Sequence, residues 1–268
     1  MYSNKNISVF GALSPGYTSF KMEALFMINT IKLKDKKGVQ FVAHRGLSGL
    51  ELENTNAAFI AAANRSYDAI EADVHKTVDR RFVLAHDFNI FRYSGDDIDI
   101  EKVTFDTLNR IQLKDKGGTM ERSDLRVSTV EEFVRICKRY GKVAILELKE
   151  VLSAEDIDKI YRIVESFEYM EKTIFSSFKM ENLVYIKEKY PEQEVQFAVW
   201  KKVRENELHL IEKYKMQLNA KFDVYTKEMI KAFHEKGIKL GAWTVDEPED
   251  AERLIEYGID YIYTNVLE

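Results

Sequence analysis

The stretch that decides the fold is GIKLGAWTVDEPEDAERLIEYGIDYIYT, residues 237–264. An apolar run, Ile238 to Val245, gives way to a charged, helix-like stretch that stops at Gly258. A second apolar run follows at Tyr261 to Thr264. Gly237 and Gly258 stand where a helix C-terminus takes a left-handed residue. The runs are of strand length and nearly continuous in apolar residues, as expected of parallel strands covered on both faces.

The same unit repeats upstream. Apolar runs at Val39 to His44, Ala69 to Val74, Val143 to Leu148, Thr173 to Phe178, Val195 to Trp200 and Met216 to Asn219 bring the set to eight. Between them lie seven helix-like stretches, among them NAAFIAAANR, STVEEFVRICKRYG and SAEDIDKIYRIVESF. Ser128 with Glu131 and Thr129 with Glu132 offer overlapping capping boxes. Eight strands alternating with seven helices predict an α/β fold, a (β/α)8 TIM barrel. An open doubly wound sheet competes on alternation alone, but the glycine-rich first turn of its nucleotide-binding form is missing here. HKTVDRRFVLAHD is too short for a helical crossover, so Phe82 to Ala85 is expected to fold back as a hairpin arm after strand two. Residues 88–126 then form an elaborated loop with a short helix.

A chain of 268 residues admits one or two domains at about 150 residues each, whereas a barrel takes about 250 as one unit. The division expected is an N-terminal extension, residues 1–38, ahead of a catalytic barrel at 39–268. The extension either packs against the barrel bottom or makes an oligomer contact. With 45% apolar residues, 12% aromatic and 3 prolines, the chain is globular rather than disordered. Its net charge of −5 argues against a nucleic-acid footprint. Cys137, the single cysteine, has no partner for a disulfide or a thiolate zinc site and reads as core filler. The apolar stretch Ala24 to Ile31 falls short of the roughly 20 residues a membrane helix needs, and no secretory leader pattern precedes it. No stable membrane insertion and a cytoplasmic location are therefore expected.

In a barrel, catalytic groups gather at the C-terminal ends of the strands. Those ends here carry His44 and Arg45, Glu71 and Asp73, and Glu147 and Lys149. Glu71 and Asp73 are two apart, so both point inward while Ile70, Ala72 and Val74 face the helices. Two buried carboxylates without a counter-ion would push at least one pKa up sharply. With Glu147 from the next strand they form a hard oxygen site suited to Ca²⁺ or Mg²⁺. A salt-bridge network with Arg45 and Lys149 is the alternative. His86 brings a second imidazole to the same mouth. Two histidines, a divalent cation and adjacent Arg and Lys suit phosphodiester cleavage by general acid and base. His75, His209 and His234 read as structural: His209 and His234 lie in helix-like segments, and alternation is expected to turn His75 away from Asp73 or leave it in the turn. Asp96, Asp97 and Asp99, in the elaborated loop, either bias substrate choice or form a solvated acidic edge.

HRG at 44–46, ENT at 53–55, EADV at 71–74, TVD at 77–79 and HD at 86–87 follow one another in order. ELK at 147–149, SSF at 176–178, WTVD at 243–246 and GIDYIYTN at 258–265 come later. Together, over residues 39–268, they resemble the glycerophosphodiester phosphodiesterase family. The resemblance implies a TIM barrel enzyme that hydrolyses glycerophosphodiesters, small-molecule substrates, to sn-glycerol 3-phosphate and an alcohol. His44 and His86 would be the catalytic pair and Glu71, Asp73 and Glu147 the metal ligands. Arg45 and Lys149 would hold the phosphate. Asn54 would either bond near the metal or phosphate or cap the following helix, and Trp243 would wall the pocket. Leu52 stands where the family often has Pro before Glu-Asn-Thr, and Asn265 where Asp often follows the last strand. A lysophospholipase D or phospholipase C-like enzyme acting on lipid phosphodiesters is the second reading. A catalytically silent barrel used as a binding module is the third.

Overall fold

The computed structural model describes residues 29–268. Eight parallel strands make the barrel: β1 (Gln40–Ala43), β2 (Ala69–Lys76), β5 (Val143–Leu148), β6 (Thr173–Ser177), β7 (Val195–Val199), β8 (Gln217–Lys221), β9 (Leu240–Trp243) and β10 (Tyr261–Thr264). β1 pairs with both β2 and β10, which closes the ring. Two short strands stand outside it. β3 (Phe82–Leu84) runs antiparallel to the end of β2, and β4 (Ser128–Thr129) antiparallel to β3. The barrel and the hairpin arm are thus as the sequence predicts.

Local chemistry explains the helix boundaries. The threonine or serine oxygens of Thr55, Thr129, Ser153 and Thr226 each accept an N–H from the first turn of the helix that follows, satisfying donors the helix leaves open. Of the two overlapping capping boxes, only Thr129 with Glu132 forms. Ser128 is used instead to accept the Asn56 N–H at the start of helix Asn56–Ala63. Gly141 and Gly258 end their helices in the left-handed region.

The helices lay their apolar stripes on the barrel, burying Phe59, Phe133, Ile160, Leu183, Ile211 and Leu254 in one continuous core. Each such side chain contributes roughly 1.5–3 kcal/mol. Cys137 lies in that core with no exposure. Inside the barrel the filling is partly polar. The Tyr263 hydroxyl donates to Gln196, whose amide donates to Gln217, which in turn reaches Glu194 at the N-terminal end of the strands.

Residues 88–126 are more than a loop with one helix. Helices Phe91–Ser94 and Phe105–Asn109 and a 3-10 turn at Ile100–Lys102 gather around their own apolar cluster of Val83, Ala85, Ile90, Tyr93, Ile100, Leu108, Leu113, Leu125 and Val127. The unit is a small satellite core seated on the hairpin. Of the expected extension at 1–38, residues 1–28 lie outside the described residues. Ile31 and Leu33 pair with the chain's C-terminal residues through Ile31 N–H to Val266 O and Leu33 N–H to Glu268 O. Among the described residues, no helix is long and apolar enough to cross a membrane.

Candidate active site

The first element of the site is the turn leaving β1. Arg45 and Gly46 both take positive φ, 57° and 76°. A Cβ on Gly46 would sit 2.7 Å from the Ala58 backbone, so only glycine fits there. The turn brings the Arg45 N–H onto Glu71 Oε2 at 2.8 Å and directs both His44 and Arg45 to the mouth of the barrel.

β2 and β5 run in register, Asp73 opposite Glu147, and ligand atoms of Glu71, Asp73 and Glu147 all lie within 4.8 Å of one another. Lys149 Nζ is 2.8 Å from Glu147 and 3.1 Å from Asp73, and Arg45 Nε is 3.4 Å from Asp73. Arg45 is also shared with Glu53 at 3.2 Å, which Arg92 holds at 2.7 Å, so two cations, one of them shared, face three acids. The balance is negative. Glu71 Oε1 is buried with no hydrogen-bond partner among the described residues, the kind of orphan a cation would satisfy. Burial, then Asp73 and Glu147, push Glu71 well up, and burial and Asp73 push Glu147 up. Burial opposes ionisation of Asp73 as well, but Lys149 and Arg45 outweigh it and hold that carboxyl at about 2. The residues fit a divalent ion better than they fit Arg45 and Lys149 alone.

Two imidazoles share the pocket. Asn265 Nδ2 donates to Asp246 at 2.6 Å, which fixes its Oδ1 toward His44 Nδ1 at 2.9 Å. His44 therefore carries its proton on Nδ1 and leaves Nε2 unprotonated, the tautomer a general base needs. His86 Nδ1 is 2.7 Å from Asp87, and Asp87 is held in turn by Arg92 Nε at 2.7 Å. Burial, with the Arg45 charge adding to it, lowers His44 to about 4, and burial lowers His86 as well.

The His44 shift has a stability consequence. The group is neutral when folded and binds protons more readily when unfolded, so its contribution is complete above its ordinary value of 6.5 and is lost as pH falls to about 4. Thermal melts are expected to show a steeper loss between those pH values in the wild type than in His44→Gln. Equal slopes would show that His44 is not buried in its neutral form.

Opposite the charged groups is a neutral wall. Ser176 from β6, Ala198 from β7, Asn219 from β8 and Tyr263 from β10 line it, with Phe178, Trp200 and Trp243 above. The three aromatic rings pack with centroids 4.5–5.7 Å apart, Trp243 edge-on to the other two. The pocket thus has a charged half on β1, β2 and β5 and an uncharged half on β6 to β10.

The protein-family model described as the glycerophosphoryl diester phosphodiesterase family matches residues 44–268. The chain belongs to that family. It is 28% identical over 232 residues to a putative glycerophosphodiester phosphodiesterase of Bacillus subtilis, covering 84% of this chain and 93% of the relative. A glycerophosphodiester phosphodiesterase of Caldanaerobacter subterraneus is 27% identical, again over 84% and 93%. Among solved structures, the Oleispira antarctica phosphodiesterase in complex with sn-glycerol-3-phosphate superposes with a TM-score of 0.73 at 23% identity, over 84% and 92% of the two chains. The Thermotoga maritima glycerophosphodiester phosphodiesterase gives 0.67 at 27% identity, over 85% and 94%. As a glycerophosphodiester phosphodiesterase, the chain is a phosphoric diester hydrolase.

The structure of this phosphodiesterase brings His44, Arg45, Glu71, Asp73, His86, Glu147, Lys149 and Trp243 into one pocket. Asn54 does not reach it. Of its two expected places it takes the one beside the acid cluster and not the helix cap, donating from Nδ2 to Asp73 Oδ2 at 2.8 Å and accepting the Asp73 N–H at 3.0 Å. Thr55 is the cap. His75 is buried and off the pocket lining, as a structural residue, but its expected orientation is overturned. Residues two apart on a strand share a side, so His75 follows Asp73 and is buried, with Nδ1 2.7 Å from Glu150 and its ring edge against Phe88. Asp97 and Asp99 bind Asn89 within their own loop and, with Asp96, stay off the pocket wall. Sequence reading gave no role to Asp246, Asn265 and Arg92 behind the imidazoles, or to Ser176 and Asn219 on the wall. Ser176, Asp246 and Asn265 fell inside quoted motifs, whereas Arg92 and Asn219 carried no local signal.

Proposed function

We propose that this phosphodiesterase hydrolyses glycerophosphodiesters to sn-glycerol 3-phosphate and an alcohol, with Ca²⁺ or Mg²⁺ bound by Glu71, Asp73 and Glu147. The observation that carries the reading is a pair of imidazoles, each with Nδ1 held by an acceptor, in one pocket with a cluster of three acids short of positive charge. The product bound by the Oleispira relative supports the substrate class. When bound, the cation supplies positive charge to the phosphodiester oxygens, where charge builds as the reaction proceeds.

The chain's own groups do the rest. Arg45 and Lys149 turn from the acids to the phosphate and fix its orientation. His44 Nε2 takes the proton of the glycerol's neighbouring hydroxyl as that oxygen attacks phosphorus. His86 gives a proton to the departing alcohol. The cyclic phosphate is then opened by water, with the two imidazoles exchanging roles. Asn265 and Asp87 keep each ring in the tautomer that this exchange requires.

A panel assay tests the reading: glycerophosphocholine, glycerophosphoethanolamine, glycerophosphoglycerol and lysophosphatidylcholine, each with and without Ca²⁺ and Mg²⁺. Release of glycerol 3-phosphate from the first three is expected. Lysophosphatidylcholine is included because Trp200, 63% exposed at the pocket edge, would suit an acyl chain, and because a Mus musculus lysophospholipase D is 23% identical to this chain. Turnover of that lipid alone would move the assignment to lysophospholipase D.

A further inference from the structure

The neutral wall holds a polar group that neither the acid–base pair nor the acid cluster uses. Asn219 is 5% exposed, lines the pocket, and its Oδ1 has no hydrogen-bond partner among the described residues. Native cores rarely keep a buried amide end unpaired without a reason.

The strands on either side make room for it. In register with Asn219 are Ala198 on β7 and Gly241 on β9, the two smallest choices available. A Cβ at Gly241 would stand 2.7 Å from Asn219 Oδ1 and 3.1 Å from the Tyr263 ring. Gly241 has no positive φ to explain it, so the space for the carboxamide is the explanation that remains. Ser176, buried two strands earlier on β6, lines the same half of the pocket.

What would this amide bind? A phosphate would be drawn to Arg45, Lys149 and the cation on the opposite half, and a cationic group to the carboxylates. A hydroxyl is neutral, both donates and accepts, and can meet either end of a carboxamide. The aromatic rings of Phe178, Trp200 and Trp243 beside it offer apolar faces to the C–H groups of a short polyol.

We propose that Asn219 hydrogen-bonds the terminal hydroxyl of the substrate's glycerol and so makes the enzyme prefer glycerol diesters to diesters of a simpler diol. This rests on the hydrolysis proposed above and assigns the residue that reads the polyol. A site built to pair a hydroxyl rejects analogues without it, because its own buried group is then left unpaired.

The experiment compares glycerophosphocholine with the phosphocholine diester of propane-1,2-diol, which keeps the neighbouring hydroxyl needed for attack and lacks only the terminal one. Wild-type kcat/KM is expected to favour the glycerol compound by roughly 10²-fold or more. In Asn219→Ala the ratio is expected to fall to within about threefold, through loss on the glycerol diester alone. Equal wild-type rates on both diesters would overturn the proposal without any variant. So would a variant in which both rates fall together, since that marks a structural amide. Asn219→Ser, which keeps a shorter hydrogen-bonding group, guards against a misfolded alanine variant and is expected to give an intermediate ratio; a ratio equal to the wild type's would count against the assignment. If the wild type cleaves neither diester, the hydrolysis reading fails instead.

Discussion

Replacing His44 by alanine is expected to lower kcat by roughly 10²–10⁴-fold, the usual contribution of a positioned general base, while circular dichroism and the melting transition remain those of a folded barrel. The reason lies in the hydrogen-bond chain behind the ring. Asp246 accepts from Asn265 Nδ2, Asn265 Oδ1 faces His44 Nδ1, and the Ser48 hydroxyl closes the group against Asn265 Oδ1 and the His44 carbonyl. The Asn265 contact holds the proton on Nδ1 and leaves Nε2 open, while burial and the Arg45 charge keep the ring neutral. His86→Ala should fall as far, because a leaving alcohol without a proton donor departs slowly. The double variant should be little worse than either single one, as expected of residues that act as a unit. Retained turnover in both single variants would remove the acid–base pair from the mechanism.

The second large effect is on the cation. Chelation by EDTA is expected to abolish activity, and Ca²⁺ or Mg²⁺ should restore it. Glu71→Gln should raise the metal concentration needed for half-maximal activity by well over tenfold. Glu71 is the most informative position. Its Oε2 is held by the Arg45 N–H, while Oε1 has no partner among the described residues. The substitution therefore removes a ligand without cutting a salt bridge. Asp73→Asn would be harder to interpret, since it also breaks contacts to Arg45, Lys149 and Asn54. Full activity in chelator would make the acids a charge network balanced by Arg45 and Lys149 alone.

Much of this was legible in the chain. Parallel strands covered on both faces are mostly apolar, which is why eight runs could be placed from hydropathy. The strand ends stand out for the opposite reason: His44, Glu71, Asp73 and Glu147 interrupt runs that burial would otherwise keep apolar. The same two-residue rule that put Glu71 and Asp73 together also puts His75 with them, and there alternation was misapplied. What stayed hidden depends on contacts between distant segments. Asn265 meets His44 across 221 positions, and Arg92, on a short helix of the satellite core, joins Asp87 to Glu53. Asn265 ends a quoted motif without showing what it meets, and nothing local marks Arg92. Asn219 was hidden at the end of the run Met216 to Asn219, where a terminal amide looks like the edge of a strand rather than the wall of a pocket.

The division of the mouth into a charged half and a neutral half also bears on descent. The acids, imidazoles and phosphate-holding cations hang on three adjoining staves and on the hairpin between them, while Ser176, Ala198, Asn219 and the aromatic rings hang on the staves opposite. On the reaction proposed above, substitutions on the far side would alter which diester is welcomed without disturbing the charged half. A lineage carrying this barrel would then change its substrate one residue at a time while the charged half stayed as it is.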